Sequence, residues 1–95
     1  MNEVELERQK QVGIRAKQII DDELIKGAIN AIRENIYRKI GSSSFDQSKE
    51  REDCYHMLRA VESFEGEFKK MINTGRVAQE KLSLKGKAVK RVQEL

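Results

Sequence analysis

The sequence predicts an all-α fold, on three observations. Proline is absent, aromatics make up 5% of residues and charged residues 37%, a mixture that favours long helices over a compact mixed core. Apolar residues recur at steps of three and four through two stretches, residues 24–40 and 54–72. Gly, Ser and Asp cluster around those stretches, where helices start and stop. The expected architecture is an antiparallel helical hairpin with an extra N-terminal helix and a marginal C-terminal helix. Residues 1–75 form the helical domain, with helices near 3–20, 22–40 and 45–74, and residues 76–95 form a basic tail or short helix.

The first helix rests on Val12, Ala16, Ile19 and Ile20 as its inner face. Glu3, Glu5 and Glu7 suit the positive end of its dipole. Gly13 weakens it by about 1 kcal/mol relative to Ala. At "IIDDELI" the pattern restarts, with Asp21 as N-cap, Asp22 and Glu23 in the first turn, and Ile20 and Ile25 placed as a hydrophobic staple. A kink or short break over 20–24 is expected, with an unbroken helix as the alternative.

The second helix presents Leu24, Ile25, Ala28, Ile29, Ile32, Ile36, Tyr37 and Ile40 on one broad face, with Gly41 as its stop and Ser42–Ser44 as a short turn. Ser44 and Gln47 are spaced as a capping box for the third helix, with Asp46 and Ser48 as rival caps. Cys54, Met57, Leu58, Val61, Phe64, Phe68, Met71 and Ile72 then recur at helical spacing, and Gly75 stands as the C′ residue. So short a turn between long helices makes an antiparallel hairpin, with Ile32 and Phe64 in mid-stripe as expected core contacts. One partner helix cannot cover so broad a face. The rest falls to the first helix or to another copy of the chain, so a homo-oligomer is expected. Beyond Gly75, Ala78, Leu82, Val89 and Val92 keep near-heptad steps across Lys85 and Gly86, giving a helix expected only when docked.

Ninety-five residues allow one domain at most, burying about 60–65% of its unfolded surface. The single cysteine, Cys54, excludes an intramolecular disulfide and fits a reducing compartment. No apolar run approaches a membrane span, and the acidic, polar start is unlike a signal peptide, so a soluble, intracellular protein with no membrane partner is expected. Net charge is +3, unevenly placed. Residues 1–74 carry 13 Lys+Arg against 14 Asp+Glu; residues 75–95 carry six, Arg76, Lys81, Lys85, Lys87, Lys90 and Arg91, against Glu80 and Glu94. Those six are the candidate contacts to DNA or a protein partner, because clustered cations grip a phosphate backbone.

Other constellations have structural readings. The acidic run 21–23 points in several directions along a helix start and is explained by capping, without a metal. Cys54 and His56 are two apart on a helix and do not face each other; Cys54 reads as a small core filler and His56 as a surface residue. Tyr37, Tyr55 and the three Phe residues read as core. No enzyme, cofactor or metal site is expected.

The stretch from Arg15 to Leu82, marked by Ile20-Asp21-Asp22 and by Gly75-Arg76-Val77-Ala78, resembles a group of small tailed-phage proteins. Members usually carry Pro after the Asp pair, where this chain has Glu23. The resemblance implies a small phage component, virion-associated or part of DNA packaging, in the cytoplasm of an infected bacterial host or in the virion. The expected function is therefore non-enzymatic: self-assembly, with DNA or a phage structural protein bound through the basic tail, as in a small terminase subunit. The alternative is a helical adaptor or inhibitor that docks onto a host protein.

Overall fold

The structure is a computed structural model that describes residues 2–94, with side chains over 2–93. It is all-α: α1 (Glu3–Ile20), α2 (Glu23–Gly41) and α3 (Ser48–Glu94), with no strand among the described residues. The chain divides into two compact units, one comprising Met1–Ile19 and Phe68–Leu95, the other Ile20–Glu67.

In the second unit, the break before α2 falls where the Asp pair predicts it, but the cap is Asp22, not Asp21. Asp22 is extended (φ −63°, ψ 133°), and its Oδ1 accepts from Leu24 N at 2.9 Å and Ile25 N at 3.2 Å. The shift of one residue moves the staple positions onto Asp21 and Lys26, which approach as an ion pair at 4.0 Å instead of an apolar contact. At the other end, α2 runs through Gly41 to a cap at Ser42, whose N–H donates to Arg38 O at 2.9 Å. The turn closes by half of the expected box: Gln47 Oε1 accepts from Ser44 N at 2.7 Å, while the Ser44 hydroxyl donates to Asp46 at 2.5 Å. Helix α3 then begins at Ser48.

Helices α2 and α3 are antiparallel in this unit, since Arg33 pairs with Glu65 while Ser43 meets Arg51. The buried line is Ile29 and Ile36 against Cys54, which is the small core filler expected. Ile32 and Phe64 are not core: they stay 48% and 52% exposed. Both stand to one side of the buried line, and the stripe is broader than one neighbour can cover. The bidentate Arg33–Glu65 pair, both partners half-buried, ties the helices on the opposite side. The hydrogen bond from Glu65 holds the Arg33 guanidinium above its ordinary pKa.

In the first unit, α1 lies antiparallel along α3, and the expected stop at Gly75 is absent. Helix α3 continues unbroken through Gly75 to Glu94, so residues 76–94 are helix rather than tail. No described residue has the positive φ that a C′ glycine would supply. The glycine serves another purpose. A Cβ on Gly75 would lie 2.9 Å from Gly13 Cα and 3.0 Å from Gln9 O, and one on Gly13 would lie 2.9 Å from Gly75 Cα and Met71 O. The two backbones touch where side chains would separate them. Leu6, Gly13 and Ala16 of α1 are buried there with Gly75 and Ala78 of α3, and this packing supports the helix beyond residue 74.

Candidate binding surfaces

Three surfaces stand out. The first is the basic end of α3. Leu82 lines a shallow cleft with Glu3, Val4, Glu7 and Gln11, at the start of α1. The last three turns of α3 therefore run past α1, with Leu84, Val89 and Val92 exposed, Val92 by 70%. The six candidate cations do not act as one group. At about 100° per residue, Arg76, Lys87, Lys90 and Arg91 share one side of the helix, and Lys81 and Lys85 stand on the other beside Leu82 and Val89. Arg76 donates to Glu80 at 2.5 Å and Asn73 at 3.0 Å, both sites exposed. Lys81, Lys87, Lys90 and Arg91 are exposed, whereas Lys85 is half-buried. Four cations share one arc with Glu80, and the opposite side intersperses Leu82, Val89 and Val92 with Lys81 and Lys85.

The second surface is the tip of the α2–α3 turn. Phe45 is 99% exposed, contrary to its reading as core. Arg51 holds it there: Nη1 donates to Ser43 Oγ at 3.0 Å and to Ser44 O at 2.7 Å, and Nη2 to Phe45 O at 3.3 Å. The hydrogen bond from Ser44, and then Asp46's own backbone N–H, keep the Asp46 carboxyl below its ordinary pKa. The clamp leaves little backbone to order when the ring meets a partner.

The third surface is one flank of the α2–α3 pair, where Ala28 and Ile32 of α2 lie with Met57, Ala60 and Phe64 of α3, all exposed. Tyr37 and Tyr55 are also exposed, and Phe68 is half-buried, so none of the five aromatic side chains belongs to the fully buried core. The sequence counted these residues as interior because period alone assigns every apolar residue on a stripe to the same face.

The Cys54 and His56 pair offers no shared site. Cys54 is buried, while His56 is exposed, 3.8 Å from Glu52 and edge-on to Tyr55. Among the described residues no group of three or more His, Cys, Asp or Glu is placed to hold a metal ion, and no helix is long and apolar enough to cross a membrane. Comparison with protein-family models, with characterised proteins and with solved structures finds no match. The Gly13–Gly75 approach was missed by sequence reasoning, although a signal was present: each glycine interrupts an apolar stripe, seven residues after Leu6 and three after Ile72.

Proposed function

We propose that this protein is a non-enzymatic, self-assembling helical component of a tailed phage that acts by binding, in genome packaging or head assembly, in the manner of a small terminase subunit. One observation carries the self-association: among the described residues six hydrophobic side chains are buried while fourteen large ones stay exposed, apolar surface that a second copy can cover. The setting comes from the resemblance of residues 15–82 to small phage proteins, and the ligand class from the cation arc at the end of α3.

DNA is the polyanion this arc suits, with Arg76, Lys87, Lys90 and Arg91 on one side of an exposed helix. Neutralising four phosphates predicts a log–log salt slope of about −3.6 on duplex DNA. The test is light scattering over a concentration series, together with duplex binding by fluorescence anisotropy at several salt concentrations. An oligomer that binds with that slope, flattened when the four cations become Gln, supports the reading. A monomer at about 100 μM with salt-insensitive binding overturns it. In that case the clamped, fully exposed Phe45 favours the adaptor, with its ring as the anchor on a host protein.

A further inference from the structure

Beside the Gly13–Gly75 contact of the first unit lies a cleft of about 210 Å³. Its floor is apolar, from Ile14 of α1 and Ile72 of α3, and its rim carries three cations, Lys10, Lys17 and Arg76. Helical spacing explains the grouping. Counted at about 100° per residue from Gly13 or Gly75, all five stand roughly 40–100° round in the same sense, which on antiparallel helices is one side of the crossing. Lys10 reaches Glu7 at 4.0 Å and Arg76 reaches Glu80 at 2.5 Å along their own helices, but neither carboxylate lines the cleft. Surface pairs of this kind are weak and yield to a better-placed carboxylate. An apolar floor under a cationic rim takes a ligand with an apolar body and an anionic group beside it.

The chain itself carries such a group: at the α2–α3 turn the fully exposed Phe45 is followed by the exposed Asp46. We infer that the Phe45–Asp46 turn of one copy docks into this cleft of another, with the ring on the Ile14–Ile72 floor and the carboxylate at the rim. The inference deepens the self-association proposed above and rests on it. Three features select this occupant. The first is charge: residues 42–53 carry four acids, Asp46, Glu50, Glu52 and Asp53, against Lys49 and Arg51, and they meet a rim of three cations. The second is size. A cavity of about 150 Å³ holds a benzene molecule, so this one holds a phenyl ring. The third is order, because Arg51 bonds the Ser44 and Phe45 carbonyls and leaves the turn little freedom to lose on docking. The two surfaces are different, so the contact is heterologous. Each copy offers its turn to the next, and the assembly grows head to tail, as a ring where the rotation between copies closes.

The test uses the full chain. Phe45→Ala, at an exposed site that leaves the fold intact, is expected to raise the dissociation constant between copies at least about 30-fold. The mass by light scattering should fall while helicity is kept. Asp46→Lys and Lys10→Glu are each expected to weaken association about 10-fold, and the two together to recover most of it, since the charges are exchanged. Cross-linking reads the geometry. A mixture of Phe45→Cys and Ile14→Cys chains is expected to give a disulfide-linked dimer under mild oxidation. Phe45→Cys alone is expected to give none, like the parent chain with its buried Cys54. If the wild-type chain is oligomeric but Phe45→Ala keeps its mass and the mixture does not cross-link, this docking is wrong and self-association stands through another surface. A wild-type chain that is monomeric at about 100 μM overturns both readings together. Where mass and cross-linking disagree, the mixed cross-link decides.

Discussion

Four glycines in helical segments separate close approach from mere tolerance. At Gly27, Gly66 and Gly86 a Cβ would meet nothing within 4 Å. Each change to Ala there should gain about 0.5–1 kcal/mol, from helix propensity and a less disordered unfolded chain. At Gly75 the same gain is available, but the new Cβ would sit 2.9 Å from Gly13 Cα and 3.0 Å from Gln9 O. Both obstacles are backbone, so no rotamer change relieves them, and α1 has to move off α3, loosening Leu6, Ala16 and Ala78. Overpacking of this kind costs about 1–3 kcal/mol. Net of propensity, Gly75→Ala should lose about 1–2 kcal/mol. At about 4–8 °C per kcal/mol for a chain this small, the two classes should separate by roughly 10 °C in melting temperature. The assay is circular dichroism at 222 nm on melting, with all variants at one protein concentration. Adding Gly13→Ala to Gly75→Ala should cost less than the two separate losses together, because both open the same crossing. A Gly75→Ala protein that melts as high as Gly27→Ala would show that the backbones do not touch and that α3 past residue 74 lacks this packing partner.

Asp22→Ala should cost about 0.5–2 kcal/mol as the lost cap of α2, with Asp21→Ala within about 0.5 kcal/mol; urea midpoints decide, and the reverse order would restore Asp21 as cap. Ile36→Ala should cost about 2–5 kcal/mol, and Leu24→Ala, at a site 83% exposed, within about 0.5 kcal/mol; equal losses would mean that the buried line is misplaced. Acid should weaken the turn. The Asp46 pKa is lowered in the folded state by Ser44, so its contribution is complete above the ordinary Asp value of about 3.9 and disappears as pH falls through the lower folded value. Wild type should therefore lose more stability than Ser44→Ala between pH 5 and pH 2, and parallel losses in urea melts would refute that account.

Much of this protein follows from local sequence. Absent proline and three-four spacing establish three helices, and the Asp pair and the Gly-Ser turn separate them, because caps and turns are settled by residues within a few positions. The clustering of charge after residue 75 is likewise plain in the sequence. Three matters needed the tertiary structure. Gly75 has the same local signature whether it ends a helix or lets two helices touch, and only the position of Gly13 decides between them. Ile32 and Phe64 share a period with Ile29 and Cys54, but a single neighbouring helix covers one line of a stripe and leaves its flank to solvent. The cations of residues 76–91 divide into two sets only because the segment is helical, and α1, packed along the first part of that segment, helps to make it so. Periodicity reports which residues can be buried; which of them are buried depends on what lies opposite, and that is a property of distant sequence brought together.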